Sequence, residues 1–308
     1  FITSNLMRSL FVFFFLLIGC SEDTKTLPQS TGKNSEVIFV VDDLLWENSI
    51  DSLVLNSFGT LIKGTNQQER LFKIIQINSA ELKSVLKKHK NIIIISNGIK
   101  DAFEYNKWAS NQLVIQLNYN NSKENLLNKL IKYSDLYSKK ERNALRKSIN
   151  KFSQRNKEKV FFSNFDFRII IPKEYDVIEN NKSFFWANYD PINSDEIKNI
   201  FSFNFIPKTE DIYTEVLSKA DSILRLYLIG AKEGTYARIE PLYKPYHLNN
   251  IYRGLWRLEG GFMGGPFLIK TYDRKTKNGI NKVLVNIGVI FAPQSRKRKY
   301  IKDLEAIL

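Results

Sequence analysis

The runs VIFVV (37–41) and NIIIIS (91–96) decide how the first part of this chain folds. Each contains an uninterrupted apolar stretch of strand length, which is typical of a strand covered on both faces. Less uniform strands are predicted at 71–77 and 112–118. Because helical patterns separate most of these strands, the first half is predicted to layer helices on a small sheet.

Three helices are predicted in this half from capping residues and apolar periodicity. Asp43 is a candidate N-cap for a helix over about 44–57, and Ser79 for one over about 80–89 with Val85 facing inward. A third helix is predicted to begin at Asn121 and to be interrupted by a polar break near Ser138.

The second half is richer in alternating patterns. The segments FDFRIII (165–171) and FSFNF (201–205) each end near a proline and predict half-buried strands. The fold class is therefore predicted as α+β with two α/β-layered units, the second a mainly antiparallel sheet with packed helices. Domains are predicted at 37–158 and 159–308. A helix capped by Thr209, further strands at 237–242, 251–258, 266–272 and 282–291, and a last helix over about 296–308 complete the prediction.

The amino-terminal stretch predicts export and lipid attachment. LFVFFFLLI (10–18) has the length of a signal-peptide core, Arg8 supplies its positive flank, and Met7 is the expected start. The single cysteine, Cys20, follows Gly19 as in a bacterial lipobox, so residues 1–20 are predicted to be a lipoprotein signal peptide and Cys20 to carry acyl chains. Polar residues then predict a flexible tether over 21–36. An ordinary secretory signal with an incidental cysteine stays the alternative.

Composition excludes several classes of protein. The chain has 308 residues, 46 Lys and Arg against 32 Asp and Glu, two His and one Cys. One cysteine excludes a disulfide framework and a Cys-based zinc site, and two histidines argue against a His-rich metal site. A hydrophobic fraction of 43% is too high for a disordered chain. No cofactor and no metal are predicted.

Several motifs resemble a known family. The stretches are RGLWRLEGGFMGGPF (253–267), IFAPQSRKRKYIKDLEAIL (290–308), VVDDLLW (40–46), and Trp108 with Gln112. They are similar to a family of uncharacterised Bacteroidetes lipoproteins, a domain of unknown function, over nearly the whole mature chain. The resemblance implies the same lipid anchor and brings no activity, substrate or catalytic residue. The expected location is the cell envelope, on the outer membrane, with its periplasmic face and the cell surface both open.

Positive charge is concentrated in one segment. Residues 123–159 contain twelve Lys or Arg and four acids. Inside a cell this would suggest nucleic acid, but export argues against that partner. Outside the cytoplasm the abundant anions are phospholipid headgroups, lipopolysaccharide phosphates and acidic glycans, so an anionic lipid or glycan is the candidate ligand. A merely solvated helix face is the alternative.

The sharpest candidate site is the start of the last helix. Ser295 is the expected N-cap, and the next four residues place cations where they oppose the helix dipole. Cations beside free backbone N–H groups can bind an anion. The predicted anion-binding residues are Ser295, Arg296, Lys297, Arg298 and Lys299, with Arg253 and Arg257 from the preceding strand. Side chains that simply spread into solvent are the alternative.

Two classes of function stay open. The first is a lipid-anchored binding or envelope-assembly module, for which an envelope protein partner is also conceivable. The second is a hydrolase that uses acids, either Asp42 with Asp43 at the end of a buried strand or Glu240 with Glu259. For Asp42 and Asp43, a helix cap with a neighbouring surface acid is the simpler interpretation. His89 and His247 are interpreted as surface or structural residues, because no nucleophile accompanies them.

Overall fold

The computed structural model describes residues 26–275 and 278–308. It confirms the predicted α+β class: a mixed five-stranded sheet is followed along the chain by a largely antiparallel eight-stranded sheet. The predicted signal peptide, Cys20 and the first part of the tether lie outside the described residues. Within the described ranges, no helix has both the length and the apolar character needed to cross a bilayer.

The first sheet has the strand order β2-β1-β3-β5-β4, in which β4 alone runs antiparallel to its neighbour. A helix with a π-helical turn follows β1, and a long helix follows β5. The strands are β1 (Glu36–Val40), β2 (Lys73–Ile77), β3 (Asn91–Ser96), β4 (Ala102–Tyr105) and β5 (Leu113–Asn118), and the helical segments are α1 (Asp43–Leu45), the π turn Trp46–Ile50, α2 (Asp51–Ser57), a 3-10 turn Ser79–Glu81, α3 (Ser84–Lys87) and α4 (Lys123–Lys151).

Both faces of the first sheet are covered, as the apolar runs predict. Every residue of β1 is buried. Phe39 faces α2 and α4, where it packs against Phe58, while Ile38 faces the opposite side together with Trp108. A strand with two buried faces gains from apolar side chains at every position, which is why β1 and β3 are continuous runs.

The structure corrects two helices predicted in this half. The segment 80–89 forms two short turns instead of one helix, and Val85 is 65% exposed instead of inward-facing. Asn78, not Ser79, is the N-cap, because its side chain and that of Glu81 form a capping box.

The long helix also differs from its prediction. α4 runs without interruption for 29 residues, so the predicted break near Ser138 is absent. Its N-cap is Ser122, whose side chain accepts from the N–H of Asn125, and not Asn121, which has a left-handed φ of 63°.

The end of the predicted tether is docked rather than free. Gln29 bridges to Ser110, and Thr31 bridges to His89. The Ser110 N–H donates to the Pro28 carbonyl at 2.8 Å, and the Lys90 N–H donates to the Thr31 carbonyl at 2.9 Å. These backbone groups are hydrogen-bonded from Pro28 onward, within the segment 21–36 that the sequence predicts as a flexible tether.

The second sheet has the order β10-β11-β12-β13-β8-β7-β6, with β9 paired to β11. Every pairing in it is antiparallel. The strands are β6 (Asp176–Asn180), β7 (Phe184–Tyr189), β8 (Ile197–Phe205), β9 (Tyr236–Ile239), β10 (Tyr246–Leu248), β11 (Ile251–Glu259), β12 (Gly264–Lys275) and β13 (Asn281–Phe291), and the helices are α5 (Arg155–Phe165), α6 (Ile212–Tyr227) and α7 (Arg298–Ile307).

Helices cover both faces of this sheet. Val216, Ala220 and Leu224 of α6 pack on one face, and α5 and α7 pack on the other. The N-cap of α6 is Asp211, which accepts from the Thr214 N–H, and not the predicted Thr209.

The strand predicted at 165–171 is wrong. Phe165 is the last residue of α5, and Asp166 ends that helix in the left-handed region with φ 51°. The chain from Phe167 to Ile171 forms no strand, although Ile169 and Ile171 are buried beneath the second sheet. Residue 158 lies within α5, and the predicted division of the chain at this position stays a prediction.

Candidate functional site

The predicted anion site at the last helix already contains an internal anion. α7 begins at Arg298, so Ser295 is not its N-cap, and no side chain of the preceding Lys297 caps it. Instead the Glu69 carboxylate accepts the backbone N–H of Lys297 and that of Arg298, the latter at 3.3 Å. An acid from 228 residues earlier in the chain therefore satisfies the helix start and complements its dipole.

Lys297 does not take part in an open cationic cluster. It is 2% exposed, and its ammonium donates to the carbonyl oxygens of Ala292 and Ser295, the latter at 2.7 Å. Burial lowers the pKa of Lys297. This lysine stabilises the turn before α7 and is not available to a ligand.

Arg253 and Arg257 are also engaged by acids. Arg253 pairs with Glu305 of α7. Arg257 lies 2.8 Å from Glu259 and 3.7 Å from Glu240. Arg253 and Arg257 therefore do not form one open cationic cluster with residues 296–299, because each of these two arginines has its own carboxylate partner.

Arg296 and Arg298 line an open cavity of about 640 Å³, which we call the arginine cavity. Arg70 and Lys73 line the same cavity, together with one acid, Glu69. One guanidinium N–H of Arg298 donates to the Arg70 carbonyl at 2.9 Å, and one of Arg70 donates to Gly59 at 3.0 Å. Each of these two guanidinium groups is oriented by a backbone carbonyl and retains further donors.

A second basic cavity, of about 670 Å³, lies between α4 and the docked amino-terminal segment. We call it the lysine groove. Its charged lining comprises Lys90, Lys139, Lys140 and Lys147 with one acid, Glu141. Three of these lysines belong to the basic segment 123–159, so the charge concentration predicted from the sequence borders a concave surface.

Lys140 is held in place at the base of the lysine groove. Its ammonium donates to the Lys90 carbonyl at 3.1 Å and to Asn91 Oδ1 at 3.2 Å. Burial lowers the pKa of Lys140 to about 8. An anion in the groove would favour the charged form of Lys140 and offset part of the cost of burying its charge.

The one acid of the groove is already neutralised by the protein. Glu141 lies 2.6 Å from the Lys302 ammonium of α7 and accepts from the Ser35 hydroxyl at 2.8 Å. Lys302 also donates to Ser35 at 2.8 Å. The two charged side chains are 10% and 9% exposed, so this network is a buried ion pair. The remaining lysines are therefore left without a carboxylate partner within 4 Å among the described residues.

The acids proposed for hydrolysis have structural partners. Asp42 is the N-cap of α1 and accepts from the Leu44 and Leu45 N–H groups, which confirms the simpler interpretation, with Asp42 in place of Asp43 as the cap. Asp43 is exposed and accepts from Gln76 and Asn78, and these hydrogen bonds lower its pKa. Glu240 and Glu259 both face Arg257, as described above.

The two histidines lie in different halves of the chain. His89 is 5% exposed, so it is a structural residue and not a surface one, and its Nδ1 contacts the backbone of Asn91. Burial lowers its pKa. His247 stacks on Tyr252 with ring centroids 4.2 Å apart. In the described part of the chain, no group of three or more His, Cys, Asp or Glu is arranged to hold a metal ion.

Sequence reasoning missed Arg70, Lys73 and Lys90. They are distant in sequence from Arg296 and from Lys139, and the parallel pairing of β1, β2 and β3 brings the amino ends of these strands to one edge.

Comparison with protein families gives two matches. Residues 154–308 match a family model described as a domain of unknown function, DUF4837. Residues 30–156 match a second, DUF8532, with the same description. No curated protein matches the chain.

Proposed function

The chain belongs to the DUF4837 family, and from that premise we propose that it is a lipid-anchored protein of a bacterial envelope that binds an anionic ligand in the lysine groove. The ligand class is a phosphate or carboxylate group of an envelope lipid or glycan. The observation that carries the proposal is the groove itself, which four lysines line and whose single acid is paired with Lys302.

The chemistry of the groove suits binding more than reaction. Ammonium groups are point charges with rotatable donors, and they attract phosphate and carboxylate oxygens without a fixed geometry. Lys140 is positioned by two hydrogen bonds, and Lys90 donates to Asn34 at 3.1 Å. Lys139 and Lys147 are exposed at the rim, where they can reach an entering anion.

Membrane attachment is the second part of the proposal. The lipobox cysteine Cys20 would carry the acyl chains, and the docked residues 28–31 lead directly to Asn34 and Ser35 at the groove. The anchor would then hold the groove near the membrane surface, where anionic headgroups and glycans are concentrated. The resemblance to Bacteroidetes lipoproteins implies that this membrane is the outer membrane.

Ligand binding is tested with two charge-reversal variants of the full chain in mild detergent. Lys139→Glu with Lys147→Glu changes the groove, and Lys123→Glu with Lys132→Glu changes the same helix by the same charge outside it. The probes are inorganic pyrophosphate, digalacturonate and dihexanoyl-phosphatidylglycerol, which separate phosphate, carboxylate and lipid. We expect the groove variant to lose at least tenfold in affinity for the preferred probe and the control to lose less than twofold. Equal loss in both variants, or no binding by the unmodified chain, rejects the proposal.

Anchoring is tested separately by Cys20→Ser. We expect the variant to leave the membrane fraction and to show altered processing of the precursor, because the acceptor for the acyl chains is removed. Lys33→Ser is the control, since it changes one polar residue close to β1 without touching the lipobox. An unchanged membrane fraction with unchanged processing in Cys20→Ser contradicts the anchor.

A further inference from the structure

We infer that the lysine groove and the arginine cavity form one continuous track for an extended polyanion, of the acidic polysaccharide class. The inference rests on the proposed function, because it uses the lysine groove as its first subsite. It adds a second subsite, formed by Arg70, Lys73, Arg296 and Arg298, and a ligand with several spaced negative charges.

Both cavities lie at the same edge of the first sheet. Ser35 and Asn91, which line the lysine groove, stand at the amino ends of β1 and β3. Phe72 and Lys73, which line the arginine cavity, stand at the amino end of β2. Because β2, β1 and β3 are parallel neighbours, these amino ends meet along one edge.

A single layer of residues separates the cavities. The Lys73 N–H donates to the Ser35 carbonyl at 2.7 Å, which joins the lining of one cavity to the lining of the other. The Lys302 ammonium lies 4.6 Å from the Phe72 ring centroid and also contacts Ser35. The Lys73 side chain is 60% exposed at this point and pairs with Glu36, which is 11% exposed, so the more accessible charge on the ridge between the cavities is the ammonium.

The acids beside this track are already bound by the protein. Glu69 accepts the first N–H groups of α7, Glu141 pairs with Lys302, and Glu36 lies 3.3 Å from Lys73. Among the described residues, Arg70, Arg296 and Arg298 have no carboxylate within 4 Å. The guanidinium groups of Arg70 and Arg298 are already oriented, so binding costs little additional ordering of these side chains.

The extent of the track selects the ligand class. Along the edge from β2 through β1 and β3 to β5 there are three strand spacings, or about 14 Å. One headgroup phosphate can occupy one cavity only, whereas a chain with regularly spaced carboxylates can occupy both. Two linked contacts raise the effective concentration of the second, so affinity should increase with chain length until both subsites are filled.

The test measures affinity against ligand length with the full chain in mild detergent. Galacturonate oligomers with two, four and eight sugars are the probes, and Arg296→Gln with Arg298→Gln changes the second subsite. The matched control is Lys299→Gln with Lys132→Gln, which removes the same charge from α7 and α4 outside both cavities. We expect the unmodified chain and the control to bind the octamer at least tenfold more tightly than the dimer. The arginine variant should bind the dimer normally and lose the gain with length.

The other outcomes distinguish failure of the track from failure of anion binding in the lysine groove. Normal dimer binding without a gain for the octamer in the unmodified chain overturns the track and leaves the proposed function intact. No binding of any oligomer, of pyrophosphate or of the lipid probe overturns both. Tighter binding of dihexanoyl-phosphatidylglycerol than of the octamer, unchanged in the arginine variant, overturns the track and assigns the lysine groove to a lipid headgroup.

Discussion

The interior of each half and the seam between the halves use different interactions. Phe58 packs on Phe39 and Phe72 in the first half, and Phe201 packs on Phe184 in the second. Each apolar cluster takes its buried residues from one half only, either before or after residue 158. Across the seam, the hydrogen bonds and ion pairs include those of Lys302 with Glu141, Glu69 with the start of α7, and Arg146 with the Ala306 carbonyl at 2.7 Å.

This difference shows which interactions form each half and which interactions fix the arrangement of the two halves. Apolar burial is non-directional and forms each half from neighbouring segments. Charged contacts are directional and costly to leave unpaired, so they select one arrangement of the halves. The basic track lies at this same seam. Mutations should therefore act differently according to the region they change.

The largest effect is expected in the interior. Phe58→Ala removes a fully buried ring that contacts three aromatic neighbours, so we expect a loss of about 3–5 kcal/mol in the free energy of unfolding. Hydrogen exchange should become faster throughout β1, β3 and β5 while β12 and β13 stay protected. Equal loss of protection in both sheets would show one shared interior and contradict the comparison.

The next effect is expected at the buried ion pair. Lys302→Met leaves Glu141 buried with Ser35 as its only hydrogen-bond partner among the described residues, so we expect a loss of about 3 kcal/mol measured by urea unfolding. The double variant Lys302→Met with Glu141→Leu should recover most of that loss, because it removes both charges. A double variant as unstable as the single one would mean that packing, and not the unpaired charge, sets the cost.

A smaller effect is expected at the start of α7. Glu69→Ala removes the acceptor of two backbone N–H groups, and we expect a loss of about 1–2 kcal/mol. Glu69→Gln keeps an acceptor and loses the charge, so its free energy of unfolding should lie between those of the unmodified chain and Glu69→Ala. Amide exchange at Lys297 and Arg298 is the direct readout. Unchanged exchange in Glu69→Ala would contradict the contact.

The smallest expected effect on stability concerns Lys140, whose replacement should stabilise the protein instead of destabilising it. Burial lowers its folded-state pKa to about 8 from the usual 10.5. Between these values the unfolded chain binds more protons, so stability should rise with pH from about 8 to about 10.5. Lys140→Met should be more stable near pH 7 by about 1 kcal/mol and should lose this rise, as measured by urea unfolding at several pH values. If the stability of Lys140→Met still rises over this pH range, another titrating group causes the rise.

Lys140 also predicts the pH dependence of binding in the lysine groove. An anion favours the charged ammonium, so affinity should fall as the pH rises above about 8. The same dependence should be absent in Lys140→Met. Affinity that stays constant across this range would place the anion away from Lys140.

The parts of the fold that could be predicted are those with local causes. The continuous runs at β1 and β3 arise from burial of both faces of each strand. The alternation around Phe201 and Phe203 predicted a strand correctly, but the strand is not half-buried as predicted, because the polar Ser202 is buried as well. The strand predicted at 165–171 failed because Phe161 and Phe165 lie four residues apart on the buried face of α5, and that helical spacing competes with the alternation that follows. The segment after Phe165 joins no strand of the sheet; the Ile170 N–H donates to the Ile307 carbonyl, and the Ile171 carbonyl accepts from the Gln154 N–H.

The site could be predicted only in part. The lysines of α4 are adjacent in sequence, so their charge was visible. The role of Glu69 was not, because its partner amides lie 228 residues away and no local pattern encodes that contact. For the same reason Ser295 was a reasonable N-cap from sequence, and the structure replaces it with a distant carboxylate.

The docking of Pro28–Thr31 would limit the distance between the folded protein and a lipid anchor at Cys20. If Cys20 carries the acyl chains, the seven residues 21–27 separate it from the docked Pro28, and a chain of seven residues spans at most about 25 Å. Ser30 lines the lysine groove, so that distance would also separate the groove from the acyl chains. A protein anchored in this way would reach only ligands that lie on or just above the membrane. Inserting residues between Cys20 and Pro28 would extend that reach without altering a contact of the track.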